Sequence, residues 1–301
     1  MNLIVNQRFT VRALDASGTR RQNVALHLSL NAPGCRIGGC NVVDSHKPLT
    51  RRLCALSECD GDTVDDIEAM QTLLEVRRGG SEICHQGSRT RRAFAVVSGW
   101  LLRTRILSDG RRQVLGFVLP GDVINLAWHS NPVVPCNIEC LTDATIVDIG
   151  ALREHVMRSP FNDPVCAAVR SSLAMDDVAM LSSVSRLARQ SAYERLALLL
   201  LDLRFRLSLV SLADATSFHM PVTQQVLSDA LGLSIVHVNR TLMQLRRDGF
   251  VQTQQRMLML PDPEALARLV DYAEPAITDR ELPVSTPSNT MRFPRLVSAT
   301  A

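Results

Sequence analysis

Residues 227–250 read LSDALGLSIVHVNRTLMQLRRDGF. Gly232 divides this stretch into two segments with helical apolar spacing. The second must bury Ile235, Val238, Leu242 and Leu245 while carrying Asn239, Arg240, Gln244 and Arg247. At about 100° per residue, those four apolar side chains fall within one arc, expected to face the preceding helix and the rest of a small domain. The opposite arc holds Val236, Arg240, Met243, Gln244 and Arg247, with His237 and Asn239 at its edges. The polar residues therefore do not interrupt a core face. They form a surface of their own.

The flanking residues punctuate two helices. Thr223 is placed as an N-cap, Val226, Leu227, Ala230 and Leu231 share one face, and Gly232 closes the first helix in a left-handed conformation. Ser234 caps the second helix, which runs to Asp248; Gly249 stops it and Phe250 folds back as the hydrophobic contact. FVQTQQRMLMLPD then alternates around a Gln254–Arg256 turn, the pattern of a β-wing. Two short helices joined by a glycine turn, the second with polar side chains outward, predict a helix-turn-helix whose second helix fits a major groove. There arginine bonds guanine O6 and N7, asparagine or glutamine bonds adenine, and an exposed valine meets a thymine methyl. The residues expected to touch DNA are Thr223, Gln224, Gln225, Ser234, Val236, His237, Asn239, Arg240, Gln244, Arg247 and Arg256, with Thr223 and Gln224 on backbone phosphates.

Upstream, helix formers dominate from Asp163 to Leu207. Ala167, Ala174, Val178, Leu181 and Ala188 recur at three-and-four spacing, and Val169, Leu173, Met180, Val184 and Leu187 supply a second apolar face. A helix apolar on two faces needs two partners, its own domain and a symmetry mate, so the stretch to about Arg189 is expected to be a dimer helix; one long core helix in a monomer is the alternative. SAYERLALLLLDLRFRLS follows as another helix with Leu196, Leu199, Leu200 and Leu203 on its apolar positions. Further upstream, glycines recur at 87, 99, 110 and 121 after Gly79 and Gly80, separating the β-type runs FAVVSGWLLRTRIL, RRQVLGFVL and IECLTDATIVDI. That rhythm predicts an antiparallel sandwich or barrel over about 70–150, with Asp109-Gly110 its clearest turn.

In a chain of 301 residues with 46% hydrophobic content, these segments make about two domains. The fold class expected is α+β: an antiparallel β-roll, a long helix and a winged helix-turn-helix. Residues 1–47 lack a sustained period and are expected to be a poorly ordered extension; 279–301, rich in proline, is expected to be a disordered tail. No run reaches the roughly 18 apolar residues of a membrane span, and Arg8 and Arg12 break the N-terminus before a signal core forms, so a cytoplasmic location without membrane association is expected.

Net charge of +3 names no nucleic-acid partner by itself, because clustering matters more than the sum. Lys47 is the only lysine among 33 basic residues; arginine is the side chain that forks onto phosphate and guanine, although biased base composition also enriches it. The pairs Cys35/Cys40, Cys54/Cys59 and Cys136/Cys140 lack the C-x-x-C spacing of a zinc knuckle and are expected to be packing thiols. His85, His129, Asp122 and Cys136 share one half of the chain without a catalytic order, phosphate-cradling loop or metal spacing. No catalytic residue, metal site or cofactor is expected, and the chain is read as a regulator and not an enzyme. A ligand-binding module acting through protein partners is the competing expectation, one that gives no reason for Arg240, Gln244 and Arg247 on the outward arc.

The ordered segments RRGGSEICHQG, VVSGWLLRTRILSDGRRQVLGFVLPGDVINL, AYERLALLLLDL and PVTQQVLSDALGLSIVHVNRTLMQLRRDGF resemble the Crp/Fnr family of transcription regulators, over about residues 48–272. The resemblance implies a homodimer with a cyclic-nucleotide-binding-like effector roll (48–160), a dimerisation helix (161–190) and a winged helix-turn-helix (191–273) reading a two-fold symmetric operator, with RNA polymerase as a further partner. The sequence departs from that family at three places. Where cyclic-nucleotide binders have Gly-Glu-Leu and then Arg-Ser, this chain has Gly121-Asp122-Val123 and the arginine-free NPVVPCNIEC. The cysteines do not reproduce the iron–sulfur set, as TIVDIG has none. Val236 stands where familiar members have Glu, one turn before the arginine matched by Arg240. The effector is therefore left open, as is the operator sequence.

Overall fold

The structure, a computed structural model, describes residues 47–126 and 133–275, and ahead of them the backbone of two short strands at 11–14 and 20–24. Apart from those strands, the expected extension over 1–47 lies outside the described residues, as does the tail 279–301 and His129. Strands β1 (Val11–Leu14) and β2 (Arg20–Val24) precede helices α1 (Pro48–Leu56) and α2 (Gly61–Ala69). The roll then comprises β3 (Leu74–Arg77), β4 (Glu82–Cys84), β5 (Phe94–Ser98), β6 (Leu101–Ile106), β7 (Arg112–Val118), β8 (Val123–Ile124), β9 (Asn137–Cys140) and β10 (Ala144–Asp148). Helices α3 (Gly150–Arg158), α4 (Pro164–Arg189) and α5 (Ala192–Ser208) lead through β11 (Ser217–His219) to α6 (Gln224–Leu231), α7 (Ile235–Arg247), β12 (Gln252–Gln254), β13 (Met257–Met259) and α8 (Pro263–Leu269).

The roll is two sheets, ordered β2-β1-β3-β10-β5-β8 and β4-β9-β6-β7. All described pairs are antiparallel except β1 with β3. Phe94, Val96, Leu101, Val118, Ile124, Ile138 and Ile146 fill the space between them with Cys84, Cys136 and Cys140. Burial pushes all three thiols up, which keeps them protonated and inert. Outside the first sheet, Leu49, Leu53, Leu152, Val165 and Val169 from α1, α3 and α4 form a second core with Ala93, Ala95 and Val147.

The third core ignores the boundary between roll and winged helix. Trp100, Leu102, Val114, Phe117 and Leu119 of the roll pack in one cluster with Leu196–Leu203 of α5 and with Leu227, Val238, Leu245 and Leu258 beyond it. This explains why α5 is apolar nearly all round: besides Leu196, Leu199, Leu200 and Leu203, it also buries Leu198 and Leu201. One face meets the roll and the other the winged helix.

Polar contacts fix the same junction. Asp122, in the turn after β7, bonds Arg52 of α1 through Oδ1 and Arg206 of α5 through Oδ2. The latter oxygen also accepts the Leu119 N–H at 2.8 Å. Arg52 continues to Asp176 of α4 at 2.7 Å and donates to Ser172 Oγ at 2.9 Å. Burial alone would raise Asp122, but Arg206 and Arg52 outweigh it and hold the carboxyl below the ordinary aspartate range. The turn approaches so closely that Gly121, at φ 88°, admits no side chain: a Cβ would sit 2.9 Å from the Pro48 carbonyl oxygen and 2.7 Å from Val210.

Helix α4 has two faces, divided differently from the sequence expectation. Val165, Ala168, Val169, Ser172, Met175 and Arg186 point inward, so Val169 belongs to the core stripe. Leu181 and Ala188, expected to alternate with the other series, instead join Met180, Val184 and Leu187 on the exposed side. Among the described residues no helix is long and apolar enough to cross a membrane.

Candidate nucleic-acid interface

Helix α6 starts at Thr223, whose side chain accepts from the Val226 N–H, and ends at Gly232 with φ 62°. An L side chain at this left-handed residue would be strained, and the reversal places Ser234 to cap α7 by accepting from the His237 N–H. The end of α7 closes as a Schellman motif: the Gly249 N–H bonds the Arg246 carbonyl and the Phe250 N–H bonds the Leu245 carbonyl at 3.0 Å. Phe250 packs against the core, as its position predicted. Arg246 reaches Thr253 Oγ1 at 2.6 Å and ties α7 to the wing, while Tyr193 of α5 donates to Asp248 at 3.1 Å. The wing is the hairpin β12–β13, completed by β11, with Gln255 and Arg256 as its two-residue turn.

Val238, Leu242 and Leu245 are buried, as expected, but Ile235 is 44% exposed. Thr241 takes the fourth inward place; its hydroxyl donates back to the His237 carbonyl at 2.9 Å, so it is buried without an unmet donor. The difference is angular: Ile235 lies about 70° from the centre of the buried arc, on its rim.

Every residue expected to touch DNA is exposed: Thr223, Gln224, Gln225, Ser234, Val236, His237, Asn239, Arg240, Gln244, Arg247 and Arg256. They do not form one patch. Val236, Asn239, Arg240 and Arg247 line a single shallow surface with Ile235 and Met243. Gln224 and Gln225 stand on the first turn of α6, and Arg256 is at the wing tip. Thr223 and Ser234 are engaged as caps. Among the described residues Arg240 and Arg247 have no hydrogen-bond or ion-pair partner, so two charges stand free on a ridge that also exposes Val236 (70%) and Met243. An apolar strip between unpaired guanidiniums matches a groove lined by phosphates, guanine acceptors and thymine methyls.

Two residues bear on this surface that were not expected there: Asp229, which the sequence did not single out, and Ile235, which was expected to be buried. Asp229, on α6, accepts from Gln225 at 2.8 Å and from Arg112 of the roll at 2.9 Å. Ile235 adds an exposed methyl-rich edge. Elsewhere, His155, Asp163 and Cys166 place donor atoms close together. Asp163 Oδ1 there accepts the Cys166 N–H at 2.9 Å and pairs with His155 at 3.1 Å, which caps α4.

Comparison with known proteins agrees with this geometry. Residues 75–153 match the cyclic nucleotide-binding domain model and residues 194–269 the Crp-like helix-turn-helix domain model. The nitrogen fixation regulation protein FixK of Rhizobium meliloti is 30% identical over 201 residues, covering 65% of this chain and 87% of that protein. The transcriptional activator FnrA of Stutzerimonas stutzeri is 25% identical over 226 residues, covering 73% and 88% respectively. Among solved structures, FixK2 from Bradyrhizobium japonicum superimposes with a TM-score of 0.56 at 27% identity, covering 67% of this chain and 98% of that one. The chain belongs to the Crp/Fnr family of transcription regulators. It is a DNA-binding regulator, related to transcription regulators and not to enzymes.

Proposed function

We propose that two copies of the chain pair along the exposed stripe of α4 and present their α7 helices to half-sites of a two-fold symmetric operator, one DNA turn apart. The observation that carries this reading is the outer face of α7, where Arg240 and Arg247 stand without partners beside Val236 and Asn239. Arg240 reads guanine, Asn239 and Gln244 offer amide groups to adenine, Val236 meets a thymine methyl, and Thr223, Gln224, Gln225, His237 and Arg256 border the backbone. Pairing through α4 is supported by Met180, Leu181, Val184 and Leu187, which would otherwise leave an apolar stripe in water.

In this reading residues 48–160 form the effector roll, 161–190 the dimer helix, 191–273 the DNA-binding unit and 279–301 a tail. The protein works in the cytoplasm, with RNA polymerase as the partner that converts occupancy into altered transcription. The test is selection of duplexes from a random pool, followed by binding measurements on Arg240→Ala. An inverted repeat whose recognition collapses in the variant supports the reading; equal preference by both proteins overturns it.

A further inference from the structure

The winged helix meets the roll through apolar contacts, which are non-directional and would let one body slide on the other. Directional contacts are made at two places: Arg206 of α5 on Asp122, described above, and a cluster that joins the roll to α6 of the helix-turn-helix itself. Arg112, the first residue of β7, donates from Nε at 3.1 Å and from Nη2 at 2.9 Å to the same carboxylate oxygen, Oδ2 of Asp229. Its Nη1 donates at 3.0 Å to Glu139 on β9, which lies beyond β6 in the same sheet, so the guanidinium is held between a carboxylate of the roll and one of α6. Gln113 reaches the backbone carbonyl of Asp229 at 2.9 Å. The other carboxylate oxygen of Asp229 accepts from Gln225, one helical turn back, at 2.8 Å. A side chain assigned to the DNA surface and an arginine of the roll are therefore joined by a single carboxylate.

We propose that Asp229 is a positioning residue for operator recognition: it sets the rotation of the winged helix on the roll and the orientation in which Gln225 is offered to DNA. This rests on the reading of α6 and α7 as the DNA surface. The pair is partly buried, with side-chain exposures of 33% for Arg112 and 13% for Asp229, so it is neither a freely solvated pair nor a sealed one. It is suited to a contact that forms or breaks as the two bodies reorient. Because the roll carries the root of α4, rotation of the winged helix on the roll changes the separation of two α7 helices in a dimer, and with it the half-site spacing that both can reach.

The experiment compares the full-length protein with Arg112→Ala, Asp229→Asn and the exchange Arg112→Asp/Asp229→Arg. Each is measured on the selected operator and on the same operator with its half-sites moved by one base pair. Amide hydrogen exchange over residues 112–118 and 224–231 is followed in parallel. Both single variants should lose about five- to tenfold in affinity for the correctly spaced site and little for the shifted one, so discrimination by spacing narrows. Their amides should exchange faster at this junction while the roll interior keeps its protection. The exchanged pair should recover spacing discrimination and protection. Wild-type discrimination and exchange in both single variants would overturn the proposal. If the unaltered protein selects no symmetric site, the underlying reading of the DNA surface fails instead, and the two failures are told apart by the parent protein alone.

Discussion

Arg52 and Arg206 lie at one end of this molecule's use of arginine, and Arg240 and Arg247 at the other. The first two are buried and converge on Asp122, with Asp176 and Ser172 completing the set around Arg52. The second two are exposed and have no partner among the described residues. A guanidinium removed from water must be matched by an anion that stays with it, so it joins elements; one left in water on a convex ridge remains available to an anion that arrives later. Composition counts all four alike. What separates them is whether a carboxylate lies within reach on a neighbouring element.

The sharpest way to break that distinction is to remove the shared anion. Asp122→Ala takes from Arg206 the carboxylate it bonds and leaves Arg52 with Asp176 alone, and is expected to cost about 3–5 kcal/mol in urea unfolding. Arg240→Ala should leave unfolding unchanged and weaken operator binding by about 1–3 kcal/mol, measured by titration at fixed salt. Arg206→Ala tests the converse: it should unfold the chain more readily even without DNA. Equal effects of Arg206→Ala and Arg240→Ala on unfolding would erase the comparison.

Acidity sharpens it further, because two buried carboxylates near these arginines shift in opposite directions. Asp122 is held low, so it stabilises the fold above the ordinary aspartate value near ~3.9 and loses that contribution as pH falls through its own lower value. Asp202 of α5 is raised, because burial outweighs the pull of Arg206 and Arg186. Its folded form binds a proton more readily than the unfolded chain, so its cost is present at neutral pH and is relieved as pH drops toward ~3.9. Asn imitates the protonated acid in each case. At pH 7 Asp122→Asn should therefore destabilise and Asp202→Asn stabilise, and both differences should shrink in acid; shifts of the same sign at pH 7 would contradict the geometry.

The exposed cations were legible in the sequence, and the buried ones were not. Helical periodicity, two cap residues and Gly232 placed Val238, Leu242 and Leu245 inward and Arg240 outward without any long-range information. Periodicity has an error of one position at an arc's rim, which is where Ile235 and Thr241 changed places. The network at Asp122 joins residues separated by 70 and 84 positions, and nothing local marks Arg52 or Arg206 as anything but surface arginines. Asp229 was missed for the same reason, since its partner Arg112 lies 117 residues away. The glycine rhythm revealed the roll's turns, but not that its outer sheet would share a core with α5, because a helix apolar on all sides does not say which neighbour each side meets.

A smaller effect is expected at the wing, where a third kind of arginine stands. Arg256 is exposed, like Arg240, but its backbone is strained: the two-residue turn holds Gln255 at φ 48° and Arg256 at φ 66°. A hairpin turn with both central residues at positive φ ordinarily uses Asn-Gly, so this chain keeps a charged tip in place of the relaxed sequence. Gln255→Asn relieves the first position without removing the charge and should stabilise the fold by about 0.5 kcal/mol, with operator affinity unchanged. Arg256→Gly relieves the second position and removes the cation, so it should stabilise similarly and weaken binding, with a shallower dependence of affinity on salt. If Arg256→Gly leaves both affinity and salt dependence intact, the tip is not a phosphate contact, and free arginines on this domain divide further into those that meet DNA and those that only face water.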